Sequence, residues 1–301
     1  MGAALRVLIA VDGSDLALAA ARCWSGWHGS EAQPLHAVLL AVAPPMPDPL
    51  PDSGIEPGRV ERALTGMGDR QLEAAREAFA QTQLSWEALV RIGAPAAVIA
   101  DEARRQSADL IVLGTRGLTP LRGLLLGSVA LRVAQTSPVP LWLMPPHAPC
   151  PQALGRRLRL LAAADGSDAA NAAAAWAARA ASRFGDVHIE LLSVQPPFSL
   201  LEGMIGAAAG RFDHWSQQIG RDAIDAARDA MTKTAAQVDM EVRTGETVET
   251  IAARADEIEA DAIVVGPRGL GTVGQALLGS VTSGLLQTSR RTVIVVPSVA
   301  P

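Results

Sequence analysis

Tyrosine is absent from the chain, phenylalanine occurs four times, and lysine once, at Lys233. The apolar residues are therefore mostly Ala, Leu and Val. Alanine-rich segments with charged flanks suit helices, and short Val/Leu/Ile runs suit buried strands. The almost exclusive use of Arg as the basic residue reads as genome composition rather than function. An excess of positive charge is also missing: the net charge of −5 offers no general attraction to nucleic acid or anionic lipid. No stretch approaches about eighteen uncharged apolar residues, so no membrane span is expected. The opening MGAALRVLIAVDGSD has too short an apolar run for a secretory signal and meets Asp12 at once. Cysteine is scarce too, with Cys23 placed on the first helix and Cys150 in a linker, and no Cys-x-x-Cys or Cys/His spacing. A disulfide framework and a zinc site are therefore not expected, and a reducing cytoplasm is.

What the chain does have is a sequence written twice. At 301 residues the length suits about two domains of roughly 150 residues each. GTRGLTPLRGLLLGS, residues 114–128, returns as GPRGLGTVGQALLGS, residues 266–280. Gly93 and Gly245, and Asp109 and Asp261, repeat at the same offset, while VLIAVDGSD (7–15) matches LLAAADGSD (160–168) one residue further on. AVLLAVAPP (37–45) and IELLSVQPP (189–197) align as well. One repeat of domain length is a domain duplication, not a solenoid. The domains are set at 1–147 and 155–301, joined within PPHAPCPQALGRR (145–157), whose prolines discourage regular structure.

Within each copy, short apolar runs alternate with helical patterns. In the first, strands are expected at 5–11, 36–42, 87–92, 109–114 and 139–144. Helices are expected from about Ser14, from the Arg59 region to Gln81, from Ala94 to Arg105 and from Gly127 to Gln135. The second copy repeats this with strands near 158, 187, 238, 261 and 292. Continuous apolar strands separated by helices make a parallel sheet covered on both faces. Right-handed crossovers then give two tandem, doubly wound α/β domains. The segments 44–58 (PPMPDPLPDSGIEPG) and 197–211 (PFSLLEGMIGAAAGR) are irregular. They read as solvated surface loops, or as flaps over a ligand, the second with room for a short helix.

Ligands of open parallel sheets bind at the carboxyl ends of the strands, at a topological switch point. Asp12 and Asp165 end the first strand of each copy and the glycine-rich stretches follow the fourth. With strand order 3-2-1-4-5 they converge on one crevice. Gly114 and Gly117 permit tight turning and close approach. Gly127-Ser128 opens a helix that offers free N–H groups, a hydroxyl and a positive dipole end to a phosphate. The bland alternative makes the glycines turns and the serines helix N-caps. The repeated spacing G-x-x-G-x9-G-S favours the phosphate reading.

These residues resemble the universal stress protein family in its nucleotide-binding branch, which carries G-x-x-G-x9-G-[S/T] after strand 4 and an Asp after strand 1. The resemblance spans nearly the whole chain as a tandem pair. It implies Rossmann-like, adenine nucleotide alpha hydrolase-like domains with five parallel strands in the order 3-2-1-4-5. It also implies binding of ATP, or of ADP or AMP, with Mg²⁺ held through the phosphates. On this resemblance Asp12 and Asp165 meet the ribose or adenosine end, and Val42 and Val194 hydrogen-bond adenine through their backbones. Gly114 and Gly266 approach the ribose. Gly117, Gly127 and Ser128, with Gly269, Gly279 and Ser280, surround the phosphates, and Val129 and Val281 add backbone N–H groups. The family often has Ser-His between the first two glycines, where this chain has Thr115-Arg116 and Pro267-Arg268. Each Arg either screens phosphate charge or stands solvated at the surface. Pro267 lacks an N–H donor, so the second site is expected to bind more weakly or differently. No lysine stands in either loop and G-x-x-x-x-G-K-[S/T] is absent, which excludes a P-loop NTPase.

Catalysis would need a positioned base, a nucleophile or metal ligands. His28, His36, His147, His188 and His214 are read as ordinary histidines without paired spacing or repeat equivalence, and no catalytic or metal-ligating residue is assigned. The expected function is regulatory nucleotide binding in a stress response. The alternatives are slow ATP hydrolysis, self-phosphorylation on Ser128 or Ser280, and a nucleotide-free interaction module. The apolar last strands, VPLWLM and TVIVVP, suggest a pseudo-dimer of the two domains and leave room for a homodimer of the chain.

Overall fold

Val, Leu and Ile are stiff or bulky side chains that fit a pleated sheet covered on both faces, and the chain places them in short runs between longer alanine-rich stretches. In the computed structural model those runs become ten strands, five in each copy and parallel within each copy. The structure describes residues 4–27, 34–45, 57–117, 126–146, 148–150, 157–197, 209–232, 234–269 and 278–298. The described residues divide into two compact units, the first made of those within 4–146 together with Cys150, the second of those within 157–298 together with 148–149.

The first unit contains β1 (Leu5–Ala10), α1 (Asp15–Ser25), β2 (Leu35–Ala43), α2 (Pro57–Ala80), β3 (Ser85–Ile92), α3 (Pro95–Arg105), β4 (Leu110–Gly114), α4 (Ser128–Thr136) and β5 (Leu141–Met144). Its strands lie in the order β3-β2-β1-β4-β5. β1 pairs in parallel with β2 from Leu5 opposite Leu35 to Ala10 opposite Leu40, and on its other side with β4, Val7 opposite Leu110. The second unit repeats the plan with β6 (Leu158–Ala163), α5 (Asp168–Phe184), β7 (Val187–Gln195), α6 (Ala209–Ala230), β8 (Gln237–Thr244), α7 (Thr247–Glu257), β9 (Ala262–Val265), α8 (Ser280–Thr288) and β10 (Thr292–Val295). There the order is β8-β7-β6-β9-β10.

The expected strand order is therefore the observed one in both copies, and chain direction across the sheet reverses between β1 and β4 and between β6 and β9. Val7, Ile9, Ile111 and Val112 are fully buried in the first sheet, as are Leu160, Ile189 and Ile263 in the second. Trp24 of α1 packs edge-on against Trp142 of β5 at 5.3 Å, closing one end of the first core. The repeated Asp109 and Asp261 lock the sheet from below. Each accepts a hydrogen bond on its carboxylate from the backbone N–H of Arg6 or Arg159 and returns its own N–H to that residue's carbonyl. Their repetition thus reflects β1–β4 and β6–β9 registration rather than a site. The irregular segments 44–58 and 197–211 fall mostly outside the described residues, except that 44–45 and 197 follow β2 and β7, 57–58 begin α2 and 209–211 begin α6.

One expectation is overturned. Cys23 and Cys150 form a disulfide, with Cα atoms 5.5 Å apart. Their sequence spacing showed no framework because pairing is set by the path of the chain after β5, which returns residue 150 to the end of α1. The cysteine pattern therefore supplies no argument for a reducing compartment. No helix among the described residues is long and apolar enough to cross a membrane.

Candidate functional site

Each site begins at an Asp-Gly-Ser turn. The Asp12 carboxylate accepts the Ser14 N–H at 3.0 Å, Gly13 takes φ +83°, and the Ser14 hydroxyl caps α1 by accepting from Ala17 N–H. The second copy does the same with Asp165, Gly166 at φ +84°, and Ser167 capping α5. A left-handed residue here needs glycine, and the two flanking side chains satisfy N–H groups that the helix start leaves over. One carboxylate oxygen is thus tied to the turn, and the other faces the glycine-rich stretch. A Cβ at Gly117 would collide with Asp12 Oδ2, and one at Gly269 with Asp165 Oδ2.

The glycine-rich stretch leaves β4 and returns as α4. Gly127 N–H donates to the Thr115 carbonyl at 2.7 Å and Gly279 N–H to the Pro267 carbonyl at 2.8 Å, pinning each helix start beside the end of the fourth strand. Gly127 and Gly279 themselves are the N-cap residues, extended at φ −70° and −63°, and neither helix start has a side-chain cap hydrogen bond. The bland expectation that Ser128 and Ser280 are N-caps is corrected: both are the first helical residue. Helix geometry leaves the leading N–H groups of α4 and α8 without intrahelical acceptors, and the helix dipole adds positive potential at the same place.

These parts enclose a cavity in each domain, about 420 Å³ in the first and about 390 Å³ in the second. Asp12, Val42, Gly114, Gly117, Gly127, Ser128 and Val129 all line the first. Asp165, Val194, Gly266, Gly269, Gly279, Ser280 and Val281 all line the second. Both cavities open at the carboxyl ends of the strands, where β1 and β4, or β6 and β9, part company. Arg116 and Arg268 line them too. Gly114 has a further reason to be glycine, since a Cβ there would lie 2.8 Å from Leu16 Cγ of α1, and one at Gly266 would meet Ala169 of α5.

Several lining residues were not singled out from sequence. Pro95 and Ile99 come from the start of α3, Thr247 and Ile251 from α7, and Thr282 from α8. Their apolar or helix-start character looked like ordinary core and capping, and only strand order brings them beside the glycines. The histidine reading needs one correction: His36 and His188 do occupy equivalent positions, opposite Arg6 in β1 and Arg159 in β6. Both lie at the start of their strands, the end away from the cavities. His36 Nδ1 meets Ser85 Oγ at 2.8 Å and His188 Nε2 meets Asp239 Oδ2 at 2.8 Å. His28 and His147 lie outside the described residues. Among the described residues no group of three or more His, Cys, Asp or Glu side chains is placed to hold a metal ion.

The universal stress protein family profile matches residues 4–145 and again 157–297. The chain belongs to the universal stress protein family. A universal stress protein of Thermus aquaticus is 37% identical over 142 residues, 46% of this chain and 96% of the relative. The Bacillus subtilis universal stress protein YxiE is 32% identical over 142 residues, 45% of this chain and 95% of the relative. Each of these relatives therefore corresponds to about one of the two universal stress protein domains. A solved universal stress protein from Archaeoglobus fulgidus matches the whole tandem fold with a TM-score of 0.64 at 20% identity, covering 97% of this chain and 96% of that one.

Proposed function

We propose that this universal stress protein binds an adenine nucleotide, ATP or its ADP or AMP products, in each domain, and that occupancy sets its regulatory state in a stress response. The observation that carries the reading is the pairing of a helix N-terminus without a side-chain cap with a glycine-lined cavity, built on the same plan in both copies. Oriented N–H groups at a helix start suit phosphate oxygens. Glycines at 117 and 127, or 269 and 279, keep side chains out of their way. Asp12 and Asp165 line the same cavities beside Gly117 and Gly269, suited to ribose hydroxyls, and Val42 and Val194 line them from near the end of the second strand, suited to the base. Both cavities are of a size to take a small organic ligand.

Mg²⁺ fits this arrangement only as a companion of the phosphates. Asp12 and Asp165 each offer one carboxylate already engaged by a serine N–H, which is not an octahedral protein cage. The Ser128 and Ser280 hydroxyls are not spent on capping, which keeps slow self-phosphorylation as the alternative reading. Retained hydrolysis or labelling in rigorously purified wild type, abolished by Gly127→Val with Gly279→Val, would favour it. The proposed pairing of the two domains, and of two chains, rests on the apolar last strands and is tested by sedimentation.

The nucleotide reading is tested by heating purified protein and identifying released small molecules by chromatography and mass. An adenine nucleotide in the released fraction is the expected result. Its absence, together with no binding on adding ATP and Mg²⁺, would overturn the proposal.

A further inference from the structure

Neither cysteine lines a cavity, yet their cross-link joins two elements that frame the first one. Cys23 stands in the last turn of α1 and is buried, while Cys150 lies beyond β5 and is half-buried. The disulfide sets their Cα atoms 5.5 Å apart. The helix that carries Cys23 begins at the Asp-Gly-Ser turn of the first site. The strand that leads to Cys150 ends at Met144, whose carbonyl accepts the Thr115 N–H at 2.9 Å, directly before Arg116 and Gly117.

Pro146 carries this tie to the cavity. It lines a cleft of about 370 Å³ together with the turn 13–16, Arg116 and Gly117. Arg116 and Gly117 also line the nucleotide cavity, so these two residues border both spaces. Pro146 is a residue of restricted backbone and sits between two anchors, Met144 in the sheet and Cys150 on α1. Reduction of the disulfide removes the second anchor. The second domain has no counterpart to this device. Trp176 stands at the position of Cys23 and Ser298 at that of Pro146, and the chain has no third cysteine.

We propose that the Cys23–Cys150 disulfide is a thiol-redox switch acting on the first nucleotide site alone. Oxidised, it holds Pro146 beside Arg116 and Gly117 and keeps that wall in the shape that receives a ligand. Reduced, it releases Pro146, and the site binds more weakly, because a wall ordered in advance loses less freedom on binding. The step transfers two electrons. A thiolate of a dithiol reductant attacks the sulfur of the less buried Cys150, and the Cys23 thiolate leaves and takes up a proton. The reductant's second thiol then resolves the mixed disulfide and frees the Cys150 thiol. The products are two protein thiols and the disulfide of the reductant, and a small-molecule disulfide reverses the exchange. The inference rests on the nucleotide reading and adds a control to one of its two sites.

The test uses the full chain with one site blocked at a time, and reads ATP affinity by calorimetric titration. In Gly279→Val protein, where the first cavity alone binds, reduction with a dithiol is expected to weaken binding about three- to ten-fold. In Gly127→Val protein, where the second alone binds, the same treatment is expected to change nothing. Cys150→Ala in the Gly279→Val chain is expected to bind as the reduced protein does, with or without reductant. Thiol titration and far-UV circular dichroism establish that each sample is fully reduced and folded. By linkage, saturating ATP is expected to shift the thiol–disulfide equilibrium of the Gly279→Val chain toward the disulfide by the same factor. Equal or tighter ATP binding by reduced Gly279→Val protein overturns the proposal and leaves the nucleotide reading standing. Equal weakening at both sites, or a reduced chain that no longer folds, also overturns it, since the bond then acts through stability alone. Absence of nucleotide binding in every chain, wild type included, overturns both.

Discussion

At the residue scale, the Asp-Gly-Ser triplet explains how a helix cap and a cavity wall are made from the same turn. Asp12 bridges its own turn through Ser14 N–H while Gly117 comes close enough to its second oxygen to exclude any side chain. Ser14 supplies the cap of α1 and Ser167 that of α5. Ser14→Ala and Ser167→Ala are each expected to cost about 1 kcal/mol, measured by urea unfolding, without abolishing ligand binding. At Gly127 the backbone is extended and an added Cβ would sit at ordinary contact, 3.4 Å from the Thr115 carbonyl. Gly127→Val is therefore expected to fold and to fill the helix start, lowering nucleotide affinity at the first site at least ten-fold by calorimetric titration. These residues were legible because each chemistry-bearing position occurs twice at fixed spacing. Thr115, Pro95 and Thr247 were not legible as lining residues, since nothing in their local pattern separates them from core or helix-start residues.

At the scale of elements, the two domains keep their site and rewire the ion pairs behind it. In the first, Glu102 of α3 is 1% exposed and accepts from Arg91 of β3 at 3.0 and 3.2 Å. Burial alone would push its carboxyl up, but hydrogen bonds from Gln106 and Arg91 hold it below the usual carboxylate range. At the matching position of α7 the charge is reversed: Arg254 donates to Glu190 of β7 at 2.7 and 3.0 Å. Arg243, matching Arg91, turns to Glu257 and Glu241. The apolar periodicity located the strands and helices, but not this exchange of sign, because either charge fits the helix provided that its partner changes with it.

Two outcomes follow from the second network. Glu190 is buried and holds Arg254 through two charged hydrogen bonds, but Arg254 keeps Glu241 at 2.9 Å and Glu257 at 3.1 Å, so Glu190→Ala is expected to cost about 2 kcal/mol. Asp186→Ala, which breaks the exposed pair with Arg157, is expected to cost less than about 1 kcal/mol; parallel urea titrations separate them. Hydrogen bonds from Arg243 and then Arg254 lower the Glu257 carboxyl from 4.5 to about 2. Its folded-state value is thus depressed, so its stabilising contribution is complete above the unfolded value and fades as pH falls from about 4.5 toward 2. The stability difference between wild type and Glu257→Gln is expected to shrink across that window, followed by unfolding at successive pH values. A difference that stays constant would contradict the assignment.

At the scale of the whole molecule, duplication of one α/β domain sets the plan, and strand order places both cavities at the switch points of their sheets. The doubled plan was readable because glycine spacing and apolar runs both recur, which a single copy would not have shown. The disulfide was not readable. Cys23 and Cys150 are separated by 127 positions, and only the route of the chain after β5 brings them together. A cross-link closing so long a loop restricts the unfolded chain, and its reduction is expected to cost about 4–5 kcal/mol on a chain-entropy reckoning. Thermal scans with and without a dithiol reductant measure this, with thiol titration confirming the state of each sample; an unchanged midpoint in fully reduced protein would contradict it.

The central claim is that each domain holds one adenine nucleotide against the uncapped start of α4 or α8. Equilibrium dialysis of wild type, Gly127→Val, Gly279→Val and the double variant against ATP with Mg²⁺ tests it most directly. The expected result is a stoichiometry falling from about two per chain to one in each single variant and to none in the double variant. Stoichiometric binding that survives in the double variant, or no binding to wild type at all, would contradict the claim.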